Sequence, residues 1–221
     1  MSANITNITL RSLTEGDLLE VARIHCAAFP KELLTMLGTE AVRRYYLWQL
    51  IGPHDTVALG AFREQELVGY CFAGVFRGAT SGFLRHNRLF LVGCALKRPG
   101  MILHPKFYSR LRLFLRALRP KKSPPSPIAV SDAPRRRFGI LAIAVHPACQ
   151  GEGVGKALMR ESEAIAKSQG FQTIALSVAP DNTQAIQFYQ RQGFRHDQTS
   201  SAGQIRMVKD LAHLTDTLPD T

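Results

Sequence analysis

The sequence predicts an α/β fold, a mixed sheet with helices on its faces. Three observations point there. Two adjacent β-rich runs, "TVALGAF" and "LVGYCFAGVF", are joined by "REQE", which reads as a hairpin. The apolar run "FGILAIAV" passes through a glycine-rich turn into a stretch with helical apolar spacing, and a second strand and helix follow in the same order. No run approaches the ~18–20 uncharged apolar residues of a membrane span, since the longest candidate is "LFLVGCAL" at Leu89–Leu96. The 221 residues suffice for one domain, 1–221, with a large insertion at 77–137.

The elements follow in order. "NITLRSLT" alternates like a strand, and Thr14 stands three residues before Asp17, a capping-box start for the helix "DLLEVARIHCAAF". Pro30 breaks that helix, and "KELLTMLGTEAVRRYYLWQLI" predicts a second one, ending at Gly52-Pro53. The hairpin comes next, then the insertion. In it, Phe107, Leu111, Phe114, Leu115 and Leu118 share one helical face, and Arg112, Arg116 and Arg119 line another. "KKSPPSPIAVSDAPRRR" reads as a proline-rich tether. After it come a strand over 138–146, a helix over 153–169, a strand over 171–179, a helix over 182–192, and two closing strands, "GFRHDQT" and "QIRMVKDL".

Charge is uneven. The formal net charge is +11, yet 77–137 holds 15 Lys/Arg against one acid, Asp132, so the basicity belongs to that segment. Cys26, Cys71, Cys94 and Cys149 form no Cys-x-x-Cys pair and read as reduced, mostly buried thiols, with no metal site expected. The opening "MSANITN" has no basic region leading into an apolar core, so no signal peptide is expected and the location expected is cytoplasmic.

The stretch "HPACQGEGVGKALM" carries the chemistry. Gly151, Gly153 and Gly155 alternate where a strand turns into a helix. Such a junction gathers unpaired N–H groups and the positive end of the helix dipole, which together attract phosphate. A Walker loop would need Gly at 150 and Ser or Thr at 157, where Gln150 and Ala157 stand. A dinucleotide fingerprint fails at Lys156 or at Leu158, depending on the starting glycine. What remains is Gln-x-x-Gly-x-Gly, as Gln150, Gly153 and Gly155.

With this turn and with "DNTQAIQFYQRQGF" about thirty residues on, the chain resembles the GNAT superfamily of acyl-CoA-dependent N-acetyltransferases. The second block shows Asn182, Ala185, Phe188, Tyr189 and Gly193-Phe194 at the family's spacing. The resemblance implies a mostly antiparallel sheet whose central strands splay apart, with acetyl-CoA as acyl donor. It implies that the backbone of Ile143, Ala144 and Val145 pairs with the pantetheine arm. Gln150, Gly151, Glu152, Gly153, Val154, Gly155 and Lys156 would cradle the diphosphate. Asn182 would bond the pantetheine arm or cap its helix, or do both. Tyr189 would protonate the leaving thiolate, its alternative being a half-buried aromatic in the packing. A backbone donor near Val145 would stabilise the oxyanion.

Two departures follow. The family's usual glutamate position is Ser177, and the other usual carboxylate position, early in "FGILAIAV", is apolar, so no general base is assigned. His25, Glu32 and His54 come from segments that border the acceptor site in the family, and each has an ordinary packing or surface role as alternative. The insertion resembles, more weakly, that of enzymes modifying amino sugars and surface glycans. A small amine acceptor is therefore expected, with a protein N-terminus or lysine as alternative. A CoA-binding regulatory or nucleic-acid-binding module is the rival of another class, and no specific nucleic acid is expected. The insertion either meets an anionic ligand or membrane surface, or packs on its own domain with a solvated basic face.

Overall fold

The computed structural model describes residues 8–97, 138–197 and 203–211. They group into two compact units, one built on the sheet and one helical.

The sheet unit holds β1 (Thr9–Ser12), β2 (Asp55–Arg63), β3 (Glu66–Val75), β4 (Phe138–Val145), β5 (Thr173–Val178), β6 (Arg195–His196) and β7 (Ile205–Asp210). They form one seven-stranded sheet in the order β1-β2-β3-β4-β5-β7-β6. Every neighbouring pair is antiparallel except β4 with β5, which is parallel and pairs over Phe138↔Ile174, Gly139↔Ala175 and Ile140↔Leu176. β4 then runs on to Val145 without β5 beside it, so the central strands splay as expected. The hairpin closes at Arg63↔Glu66, with Glu64 and Gln65 both at positive φ (47° and 76°), a primed turn suited to the strand twist.

Two helices belong to this unit, α6 (Val154–Ser168) and α7 (Thr183–Arg191). In α6, Val154, Leu158, Met159, Ser162 and Ala166 recur at three- and four-residue intervals and are buried. They close a core with Leu59, Val68, Cys71, Phe138, Ile174 and Met207 of the strands. Lys209 of β7 reaches Glu163 of α6 at 2.7 Å, and the side chains are only 15% and 8% exposed, which fixes the helix to the sheet.

The helical unit holds α1 (Leu18–Ala28), α2 (Leu33–Met36), α3 (Thr39–Ile51), α4 (Ala79–His86) and α5 (Arg88–Leu96). The Thr14–Asp17 capping box is present, with Thr14 N–H donating to Asp17 Oδ2 at 2.8 Å. The single helix expected over 31–51 is instead α2 and α3, because Gly38 at φ 101° turns the chain between them. Gln49 of α3 donates to Ala79 O at 3.1 Å, and Trp48 stacks on His86 at 4.4 Å. Gly82 permits this, since a Cβ there would stand 2.3 Å from Trp48 Cζ2. Neither α4 nor α5 was expected between Arg77 and His104. The helix expected at Phe107–Leu118 and the tether after it lie outside the described residues.

All four cysteines are free thiols; Cys71 is buried, whereas Cys26, Cys94 and Cys149 are only partly so, against the expectation of mostly buried thiols. No helix among the described residues is long and apolar enough to cross a membrane.

Candidate active site

The site is assembled on the sheet unit, from the end of β4, the turn after it, and the starts of α6 and α7. The β3–β4 register decides which peptide groups are free. His146 N–H donates to Val68 O at 2.8 Å, which makes Val68 and His146 a hydrogen-bonded pair. Antiparallel ladders alternate, so Gly69↔Val145 and Cys71↔Ile143 are non-bonded pairs and Tyr70↔Ala144 is a bonded one. The peptide groups of Ile143 and Val145 therefore turn toward the β5 side, where pairing has already stopped at Ile140↔Leu176. Ala144 instead directs its peptide groups to β3, and its side chain is buried. The register slips between Phe72 and Ala73, so Leu141 has no opposite residue, just where β4 leaves β5.

Pro147–Cys149 then makes one tight turn, with Cys149 N–H donating to His146 O at 2.8 Å. Gln150 folds its side chain back, Nε2 donating to Val145 O at 3.3 Å. Gly151 and Gly153 hold φ of 85° and 84°, the left-handed region that glycine enters freely, and Gly153 is the N-cap of α6. Gly155 differs, lying inside α6, where an added Cβ would meet Phe188 Cζ at 3.5 Å and Val145 Cγ2 at 3.6 Å in ordinary contact. Ala157 N–H bonds to Gly153 O at 3.0 Å; among the described residues, the amides from Gly151 to Lys156 have no backbone acceptor. Lys156 is exposed in the first turn of the helix.

The sequence reading missed one participant. Arg63, at the end of β2, forms an ion pair with Glu152 inside the turn. It offsets the one carboxylate in this turn and adds a guanidinium beside the free amides. The partners are 89 positions apart, so no local pattern reveals them.

Asn182 caps α7, its side chain accepting from Ala185 N–H at 3.1 Å, which leaves its Nδ2 donors for other use. Tyr189 is half-buried between Phe188 and Phe194, with ring centroids 5.3 and 5.8 Å away. Burial, with a smaller contribution from Cys71, raises its phenol pKa above the ordinary value, so it is neutral at physiological pH. Ser177 is exposed on β5 opposite Arg206. His25, Glu32 and His54, the residues from segments that border the acceptor site in the family, lie in the helical unit. His25 is buried with Nδ1 3.0 Å from Tyr46 Oη, and burial lowers its pKa to about 4. His54 Nδ1 accepts from Arg77 N–H at 3.1 Å, and Glu32 is the exposed N-cap of α2.

Free amides at a helix start attract anions, and here they lie beside an unpaired internal strand edge. Comparison with known proteins shows what this stretch is similar to. Residues 118–194, about a third of the chain, match the model of the Acetyltransferase (GNAT) family, and they include β4, the glycine turn and the starts of α6 and α7. An uncharacterized N-acetyltransferase of Methanocaldococcus jannaschii is 39% identical over 83 residues, which are 37% of this chain and 36% of that one. The match thus spans about a third of the curated relative. Among solved structures, the Thermoplasma acidophilum PaiA N-acetyltransferase in complex with coenzyme A superposes at a TM-score of 0.57 and 14% identity, over 93% of this chain and 99% of that one. The ribosomal-protein-alanine N-acetyltransferase of Brucella melitensis superposes at 0.54 and 18%, over 91% and 99%. The Salmonella typhimurium protein yncA, with its cofactor acetyl-CoA, superposes at 0.53 and 16%, over 97% and 99%.

Proposed function

We propose that the chain is an N-acetyltransferase that moves an acetyl group from acetyl-CoA to a primary amine by direct attack in a ternary complex, with a small-molecule amine such as an amino sugar as acceptor. The observation that carries this reading is the row of free amides from Gly151 to Lys156 at the start of α6. These donors and the positive helix end fit a diphosphate, and Lys156 adds charge. Glu152 does not oppose the fit, because Arg63 is paired with it.

Bound acetyl-CoA would supply an acetyl group activated as a thioester. The residues of the chain do the rest. Ile143 offers its N–H and C=O to the pantetheine arm in the gap left by β5. Val145 aims its N–H to the same side, where it stabilises negative charge growing on the carbonyl oxygen. Tyr189 keeps its proton at neutral pH and donates it to the departing sulfur. Asn182 holds the start of α7 and offers Nδ2 to the arm. No carboxylate stands on β5, so the amine is deprotonated before attack or through water near Ser177.

The test is to mix the chain with acetyl-CoA and a panel of amines, among them amino sugars, peptide N-termini and lysine peptides, and measure thiol release. Release with amino sugars is expected. CoA binding without release from any amine would overturn catalysis, and release with peptides alone would move the acceptor to protein amines.

A further inference from the structure

The α4–α5 segment has no part in the proposed acetyl transfer, yet its surface is unusual. α5 is nine residues long. Its inner side carries Leu91, 6% exposed, and Phe90, whose ring lies under the Arg44 guanidinium at 4.1 Å. Its other side carries Leu89, Val92 and Leu96, which are 82%, 49% and 73% exposed. At about 100° per residue these three fall within roughly 60° of one another, one apolar stripe turned to water. Single exposed leucines are commonplace; an aligned row of them marks a contact surface.

The charges next to the stripe identify the contact. Arg88 opens α5, Lys97 follows its last residue and Arg85 lies near the end of α4; all three are exposed, and no acid occurs from Arg77 to Lys97. The whole chain carries a formal net charge of +11, which favours approach to an anionic surface. A nucleic acid would engage the cations and leave the aliphatic row in water. A protein groove would need acids around an apolar floor. An anionic bilayer presents negative headgroups directly above hydrocarbon and meets both demands at once.

We propose that α5 is an interfacial anchor for an anionic phospholipid surface, with Leu89, Val92 and Leu96 dipping below the headgroups and Arg85, Arg88 and Lys97 on the phosphates. About 14 Å of helix lies along such a surface and does not span it. The anchor is independent of the acetyl-transfer reading.

The experiment is vesicle co-sedimentation of the full chain, with phosphatidylcholine alone and with phosphatidylcholine mixed with phosphatidylserine. Binding to the mixed vesicles only, weakening as salt rises, is expected. The Leu89→Ser/Leu96→Ser and Arg85→Gln/Arg88→Gln double variants should each lose about tenfold or more in partitioning, at an unchanged melting temperature. Failure of the wild type to bind mixed vesicles, or full binding by the serine variant, overturns the anchor. So does a wild-type dimer in solution that the serine pair dissociates, which would place a second copy on the stripe. RNA binding as strong as vesicle binding and indifferent to the serines also overturns it, leaving charge alone.

Discussion

Replacing Gly151 by alanine separates ligand binding from folding, because Gly170 supplies a matched control. The two glycines hold φ of 85° and 79°, and a Cβ built on either meets no atom within 4 Å. The cost to the folded chain is then the left-handed backbone alone, about 1–2 kcal/mol in each. At about 2–4 °C per kcal/mol for a chain of this size, both variants should melt roughly 2–8 °C below the wild type. They differ in place. Gly170 closes the far end of α6, its N–H donating to Lys167 O at 2.9 Å. Gly151 opens the row of free amides, and its new methyl would stand where a phosphate must approach. Losing one charge-assisted hydrogen bond of about 1.5–3 kcal/mol there corresponds to roughly 10- to 100-fold in affinity. Calorimetry with CoA should therefore show at least about a tenfold loss for Gly151→Ala and none for Gly170→Ala. Gly155→Ala completes the set: its Cβ faces Phe188 and Val145, so affinity should hold and the helix gain up to ~1 kcal/mol. Equal CoA affinity in the Gly151 and Gly170 variants would refute the reasoning, since the amides would not then seat the ligand.

Tyr189→Phe should lower kcat about 100-fold or more with CoA affinity unchanged; a matching loss of affinity in calorimetry would make the ring a packing residue. Arg63→Ala should weaken CoA about tenfold and flatten its salt dependence, and titrations at low and high salt that match the wild type would reduce the guanidinium to a brace for the turn. Since no carboxylate stands on β5, kcat/KM for a primary amine should climb with pH toward the amine pKa near ~10, and a plateau reached near neutrality would reveal a base. His25 titrates near 6.5 when unfolded and at about 4 when folded, so between these values the unfolded chain binds more protons. Stability, complete above pH 6.5, should fall as pH drops toward 4, by up to roughly 3 kcal/mol, and His25→Gln should flatten denaturant midpoints across that window.

What could be read without coordinates was what is written locally. The order of strands and helices, the Thr14 capping box and the strand–turn–helix around Gly153 follow from spacing within a dozen residues. The break at Gly38 was missed because "KELLTMLG" and "TEAVRRYY" both carry helical spacing, and only the backbone turn at that glycine separates them. α4 and α5 span only eight and nine residues, about two turns each, too few for a helical period to stand out in the sequence. Arg63 and the burial of His25 depend on contacts 89 and 21 positions apart along the chain, and no window reaches that far. At the site, the family resemblance implied Ile143, Ala144 and Val145 alike. The ladder discriminates among them: Ile143 and Val145 face the splay, and Ala144 serves β3.

That discrimination ties stability to ligand. An internal strand edge without a partner exposes peptide groups that a sheet ordinarily satisfies, and so does a helix start with free amides. Here both occur within a few residues, at the peptide groups of Ile143 and the N–H of Val145, whose carbonyl already accepts from Gln150, and again from Gly151 to Lys156. On the proposed function, an extended ligand with amides in its arm and a diphosphate at one end would supply the missing strand segment to the first and the missing acceptor to the second. Binding would then finish structure already begun in the chain, and a ligand that binds only the folded state raises its melting temperature with the logarithm of ligand concentration over Kd once Kd is exceeded. CoA should raise it clearly, whereas pantetheine, which lacks the diphosphate, should raise it far less at equal concentration. Equal shifts from the two would place the binding energy in the splay alone and leave the glycine turn without a ligand.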